Sequence, residues 1–216
     1  MTSQFEPGEI RSIVISWIVL SFGVTFSNIL DLFNGIQGSL EVILAGFIAT
    51  ATGFIIHEMG HKYIAIRRGY IAHFRIWVWG IALTIFTIVV SGGSFIFGAP
   101  GAVYIIPAST TYYFGNYYSN RKTVDPDKDN MIISAMGPGI NLAFALFFLA
   151  LFNFSPLNSF SEVVGALGFG LNVGLGSFNM IPIPPMDGSK IFKKNIIVGL
   201  AIALPLWVMF AYFFFL

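Results

Sequence analysis

Gly53-Phe54-Ile55-Ile56-His57-Glu58-Met59-Gly60-His61-Lys62 sets two histidines and a glutamate inside a segment, Leu40 to Ile66, that is otherwise almost wholly apolar. A helix of that length crosses a hydrocarbon core of roughly 30 Å. Four residues advance a helix by about 400°, so His57 and His61 fall one turn apart on a single face. Ionisable groups inside a span cost roughly 2.5–3.5 kcal/mol each on insertion scales, so this cluster demands a compensating function. Two imidazoles at this spacing plus one further protein ligand hold zinc with a fourth position open to water. A neighbouring carboxylate then takes that water's proton. Glu58 is the carboxylate that the motif supplies.

Working outward, the chain has 216 residues, 56% hydrophobic and 10% charged, which no water-soluble domain of this length would show. It reads as an all-α polytopic membrane protein forming one integral membrane domain over residues 1–216. Full spans are expected at about Ser12–Leu30, Leu40–Ile66, Met131–Phe154, Phe160–Phe178 and Asn195–Leu216. The opening MTSQFEPGEI lacks a basic n-region and cleavage site, so the first apolar run is expected to be a retained span. Phe74–Pro107 is apolar but broken by Ser91-Gly92-Gly93 and Gly98-Ala99-Pro100-Gly101, and its second half, Ser94–Ile106, reads as extended chain. A re-entrant β-hairpin there, giving five spans, brings every Lys and Arg, including Arg67, Arg68, Arg121, Lys122 and Lys190, to one cytoplasmic side. A full crossing would make six. Cysteine is absent, leaving His, Asp and Glu as metal ligands, and a net charge of +1 carries no message about nucleic acid.

For a third ligand the charge topology leaves few candidates. Asp31, Glu41 and Glu162 fall on the far face, and Asp125, Asp127 and Asp129 fall in a polar loop. Asp187 ends the run Asn179-Met180-Ile181-Pro182-Ile183-Pro184-Pro185-Met186-Asp187-Gly188, where an apolar span breaks into a proline-fixed extended segment on the cytoplasmic side. Its depth matches that of the His pair, roughly 10–15 Å below the surface by helical rise. Turn and cap chemistry is the competing reading of Asp187-Gly188. Asn179, at the break, could hydrogen-bond a substrate backbone or an oxyanion, or cap the preceding helix. Gly165, Gly168, Gly170, Gly174 and Gly176 are read as close helix packing.

The paired motifs, His57-Glu58-x-x-His61 and Asn179-x-x-Pro182-x-Pro184-x-x-Asp187-Gly188, resemble the site-2 protease family of intramembrane zinc metalloproteases. The resemblance covers a catalytic core at about 40–192 and implies one Zn2+ per chain on His57, His61 and Asp187, with Glu58 as general base. Gly137-Pro138-x-x-Asn141 is similar to a third family pattern, which adds Asn141 to Asn179 as candidate substrate-binding residues, although an interhelical hydrogen bond is the plainer role for Asn141. The expected substrate is a transmembrane segment of another protein, cut within or near the lipid bilayer of the cell membrane, with the active site toward the cytoplasm. Ser94–Ile106 would offer a strand edge to the unwound substrate, or merely plug the site. A metal transporter or sensor using the same His/Glu/Asp cluster is the alternative, weakened by the lack of internal repeats.

Overall fold

The segment carrying the two histidines forms a single helical rod, Ser39–Arg67, of 29 residues. It comprises α3 (Ser39–Thr50), a π-helical stretch (Ala51–Ile56) and α4 (His57–Arg67), so the wider turns come immediately before His57. Such local widening shifts side-chain phase and recurs at functional sites. The computed structural model describes residues 5–107 and 125–215; Arg121 and Lys122 of the charge count, residues 1–4 and Leu216 lie outside the described residues.

Before this rod come α1 (Glu9–Val24) and α2 (Phe26–Phe33), bent by 67° at Thr25. After it come β1 (Tyr70–Ile76), α5 (Val78–Ser91) and β2 (Gly101–Pro107), then α6 (Pro126–Phe154), α7 (Phe160–Asn179), the short α8 (Asp187–Lys194) and α9 (Ile196–Phe215). Among the described residues three helices are long and apolar enough to cross a membrane: Ser39–Arg67, Pro126–Phe154 and Ile196–Phe213. The bent α1–α2 pair makes a fourth if it is one span. Exposed Trp79, Phe86, Val90 and Ile197 wrap the outside in apolar surface, consistent with a membrane protein. The expected count of five to six is thus not reached by length and apolarity. α7 is missing from the set because it is enclosed, with Gly165, Gly168, Asn172 and Ser177 all buried, and an enclosed helix has no need of an apolar circumference.

The two strands pair antiparallel, from Tyr70 opposite Pro107 to Ile76 opposite Gly101. The segment therefore returns beside its own start, and the sheet begins earlier than the expected Phe74. Between the strands, α5 is a helix where part of a β-hairpin was expected, and it stops at Gly92 and Gly93, whose φ of 63° and 85° favour glycine. The irregular chain that follows would be costly in lipid with its backbone unsatisfied. α5 supplies the partners: Thr84 Oγ1 donates to the Phe97 carbonyl at 2.5 Å, the Phe97 N–H donates to Thr87 Oγ1 at 3.0 Å, and the Phe95 N–H donates to Ser91 Oγ at 2.9 Å.

The polar end of the molecule is tied together by charge. Asp125 caps α6 by accepting from the Lys128 N–H at 3.0 Å, with Pro126 at the first helical position. Asp129, expected in a polar loop, is instead buried in the first turn of α6, where it takes Arg68 and the Tyr70 hydroxyl. The segment before Asp187 is a series of turns and bends rather than extended chain.

Close approach of α6 and α7 depends on glycine. A Cβ at Gly165 would lie 2.6 Å from the Phe152 nitrogen and 2.8 Å from its Cα, and one at Gly168 would meet the Phe148 ring at 2.5 Å. Gly174, read with them as packing, has nothing within 4 Å. Gly165→Ala should therefore lower the thermal unfolding midpoint in detergent, by about 1–3 kcal/mol of overpacking, because backbone cannot yield. Gly174→Ala should be neutral or stabilising by up to about 1 kcal/mol from helix propensity. Equal midpoints for the two variants would mean that α6 and α7 do not approach this closely.

Candidate metal centre

α4 carries His57 and His61 on one face, and α8 brings Asp187 to them as its first residue. Among the described residues these three form a group of side chains able to share a metal ion. His57 Nε2 and His61 Nε2 are 3.1 Å apart, and Asp187 Oδ2 is 3.0 Å from His61 Nε2 and 3.6 Å from His57 Nε2. All three residues are buried, with Asp187 8% exposed. Asp187 gets there because Gly188 lets α8 close on the preceding turn, where a Cβ would lie 2.5 Å from the Met180 carbonyl carbon and 2.8 Å from the Ile181 oxygen.

Protonation of the imidazoles follows from their outer partners. His61 Nδ1 lies 2.8 Å from the Ile133 carbonyl, which can only accept, so Nδ1 carries a proton and Nε2 is the nitrogen turned to Asp187 and free to ligate in the neutral ring. His57 Nδ1 lies 2.5 Å from Asn141 Oδ1. The Asn141 amide is oriented by its own donors, since Nδ2 gives to the Gly53 carbonyl and to Asn172 Oδ1, each at 3.0 Å. Asn172 is fixed in turn by donating to the Gly168 carbonyl at 2.8 Å. The chain of donors ends with Oδ1 of Asn141 facing His57, so His57 too carries its proton at Nδ1. Two imidazole Nε2 atoms and a carboxylate oxygen therefore converge on one small volume. A single added proton would bridge one of these contacts; a divalent cation answers all three. Tetrahedral zinc with ligands at about 2.0–2.1 Å separates them by roughly 3.3 Å, which the observed distances bracket. The donor set fits zinc.

Glu58 stands next to this group, and its Oε2 accepts from the Val103 N–H of β2 at 3.2 Å. A cavity of about 180 Å³ opens there, lined by His57, Glu58, His61, Asp187, Asn179 and the Gly101–Val103 stretch of β2. Val103 faces Phe74 across the sheet, yet its N–H turns away from β1 to Glu58. β2 thus offers an outer edge to the cavity. Lys190, one turn along α8, sits 3.7 Å from Asp187 Oδ1, the oxygen that does not face the histidines.

Of the residues singled out in the sequence, His57, His61, Asp187, Glu58 and Asn179 meet at this cavity. Asn179 Nδ2 donates to the Leu175 carbonyl one turn back at 3.0 Å. Asn141 is fully buried and is held by His57, Gly53 and Asn172 rather than standing among the cavity-lining residues, which is the interhelical role. Sequence reasoning passed over Gly137: a Cβ there would lie 2.5 Å from both Cε1 and Nε2 of His57, so α6 presents bare backbone to the metal centre. The Gly137-Pro138-x-x-Asn141 pattern was the available signal, since it puts the glycine and the asparagine one turn apart on α6.

No family model matches the chain, and no solved structure matches it. Among known proteins it is 34% identical over 204 residues, covering 94% of this chain and 93% of the relative, to a protein of Methanocaldococcus jannaschii named "Putative zinc metalloprotease".

Two substitutions test the geometry. Gly137→Ala should abolish stoichiometric zinc binding by intruding on His57. Asn141→Leu should weaken zinc by roughly 10–100-fold, the usual effect of losing a group that orients a ligating histidine. Zinc affinity by competition with a chromophoric chelator measures both, and native affinity in either variant would refute the assigned geometry.

Proposed function

The chain belongs to the family of its archaeal relative, a zinc metalloprotease by name, and from that premise we propose that it is an intramembrane protease of the site-2 type, hydrolysing peptide bonds within or near transmembrane segments of membrane proteins. The observation that carries this reading is the convergence of three potential ligand atoms beside a carboxylate and a strand edge that lines the same cavity, among helices clad in apolar surface.

His57, His61 and Asp187 would hold one zinc per chain. When bound, zinc polarises the scissile carbonyl and brings the pKa of its water toward about 7. Glu58 takes the proton of the attacking water and returns it to the leaving amine. In the free protein the Val103 N–H keeps the Glu58 carboxylate facing the metal centre. Asn141 acts through His57, holding its ring in the tautomer that ligates. Asn179 lines the cavity and orients the substrate backbone. A substrate segment unwinds there and adds to the outer edge of β2, since a peptide bond within a helix is shielded by its own hydrogen bonds.

Membrane placement follows the charges. Arg68 with Asp129, Lys193 with Asp127 at 4.0 Å and Lys194 with Asp125 at 3.3 Å gather at the end where α4, α6 and α8 meet. A face so rich in Lys and Arg belongs to the cytoplasm. The bent α1–α2 pair and α7 complete five spans around the β1–α5–β2 hairpin, and the histidines lie roughly 10–15 Å below that face.

Glu58→Gln should keep zinc while cleavage of a transmembrane substrate in proteoliposomes falls by roughly 10²–10⁴-fold. Asp187→Ala should lose zinc and cleavage together. Cleavage of soluble peptides with no cutting of any membrane-embedded segment would contradict the intramembrane reading, and altered ion flux in Glu58→Gln without any proteolysis would favour a transporter.

A further inference from the structure

A second set of buried charges lies on the opposite side of the sheet from the metal centre. Glu9, the first residue of α1, and Lys62, which follows His61 on α4, are each 3% exposed. Lys62 Nζ is 2.5 Å from Glu9 Oε1 and 4.1 Å from the centre of the Phe5 ring. The same Oε1 accepts from the Phe74 N–H of β1 at 2.9 Å, while Oε2 accepts from the Glu6 N–H at 3.0 Å. His73 and Arg75 flank the group, reaching Glu6 Oε1 at 3.1 Å and Glu6 Oε2 at 3.7 Å. One carboxylate thus joins the start of α1, the metal-bearing helix and the outer edge of β1.

The consequence reaches the cavity through the sheet. Phe74 and Val103 are direct cross-strand partners whose N–H groups both point outward, one to Glu9 and the other to Glu58. A buried ion pair is a poor device for stability, because desolvation offsets most of its attraction; register is the use best attested for it. A sheet of two strands has two edges that a third strand could extend; the Phe74 amide of β1 is held by a carboxylate buried in an ion pair with Lys62, whereas Val103 of β2 and the Glu58 that holds its amide both line the cavity. Resting on the proteolytic reading above, we propose that Glu9 and Lys62 are positioning residues: they close the outer edge of β1 and lock the hairpin to α4, so that a substrate chain can add only to β2, beside Glu58.

The test compares the native protein with Glu9→Gln, Glu9→Ala and the double variant Glu9→Ala/Lys62→Met, which leaves no unpaired ammonium. Zinc content, kcat and KM on a reconstituted transmembrane substrate, and hydrogen exchange at the Phe74 and Val103 amides are measured. Native zinc content, a KM raised by about tenfold with kcat changed less than about threefold, and faster exchange at both amides are expected for the double variant, with Glu9→Gln intermediate. A folded double variant with native KM and native exchange overturns the proposal. So does loss of zinc in parallel with cleavage, which would make the pair scaffold for the metal centre. If the double variant does not fold, Glu9→Gln decides on the same readouts. Should the native protein cut nothing, the proteolytic reading fails, and the Val103 exchange rate still decides whether Glu9 holds the hairpin in place.

Discussion

Two imidazole nitrogens and a carboxylate oxygen held within a few ångströms of one another are brought together best by a shared cation. His57 Nε2, His61 Nε2 and Asp187 Oδ2 are held in that relation by partners that leave the rings no other tautomer: the Ile133 carbonyl for His61 and the Asn141 carboxamide for His57. A group that cannot rotate away stays pre-organised for an ion, and the rest of the molecule is arranged to keep it so. α6 contributes bare backbone at Gly137 where a side chain would intrude, and α7 contributes Asn172 to orient Asn141.

The hairpin answers a different constraint. Backbone that departs from helix must find partners within the protein wherever it is shielded from water. Hydroxyls of α5 capture residues 95–97, Glu9 captures the Phe74 amide and Glu58 captures that of Val103. The two-stranded sheet therefore meets the candidate metal centre along β2, where the Val103 amide is held by Glu58.

Legibility from the sequence followed the range of each interaction. The His57-Glu58-x-x-His61 spacing fixes two ring positions through helical pitch alone, and charge topology, the proline break and a matching depth together pointed to Asp187 across more than a hundred residues of chain. β1 escaped because Tyr70-Ile71-Ala72-His73-Phe74-Arg75-Ile76 is short and its polar residues are absorbed by Glu6 and Glu9, partners that only the folded chain brings near. Asp129 read as loop because nothing local announces Arg68 and Tyr70. α7 read as a span by its apolar length, but its small and polar residues are packing and hydrogen-bonding positions, with Asn172 the link that no periodicity marks.

Zinc K-edge X-ray absorption of the purified protein in detergent tests the central claim most directly. A spectrum of one four-coordinate zinc, with two imidazoles and the remaining ligands oxygen at about 2.0–2.1 Å, is the predicted result. A zinc-free protein under conditions that load other metalloproteins, or a six-coordinate all-oxygen ion, would contradict it.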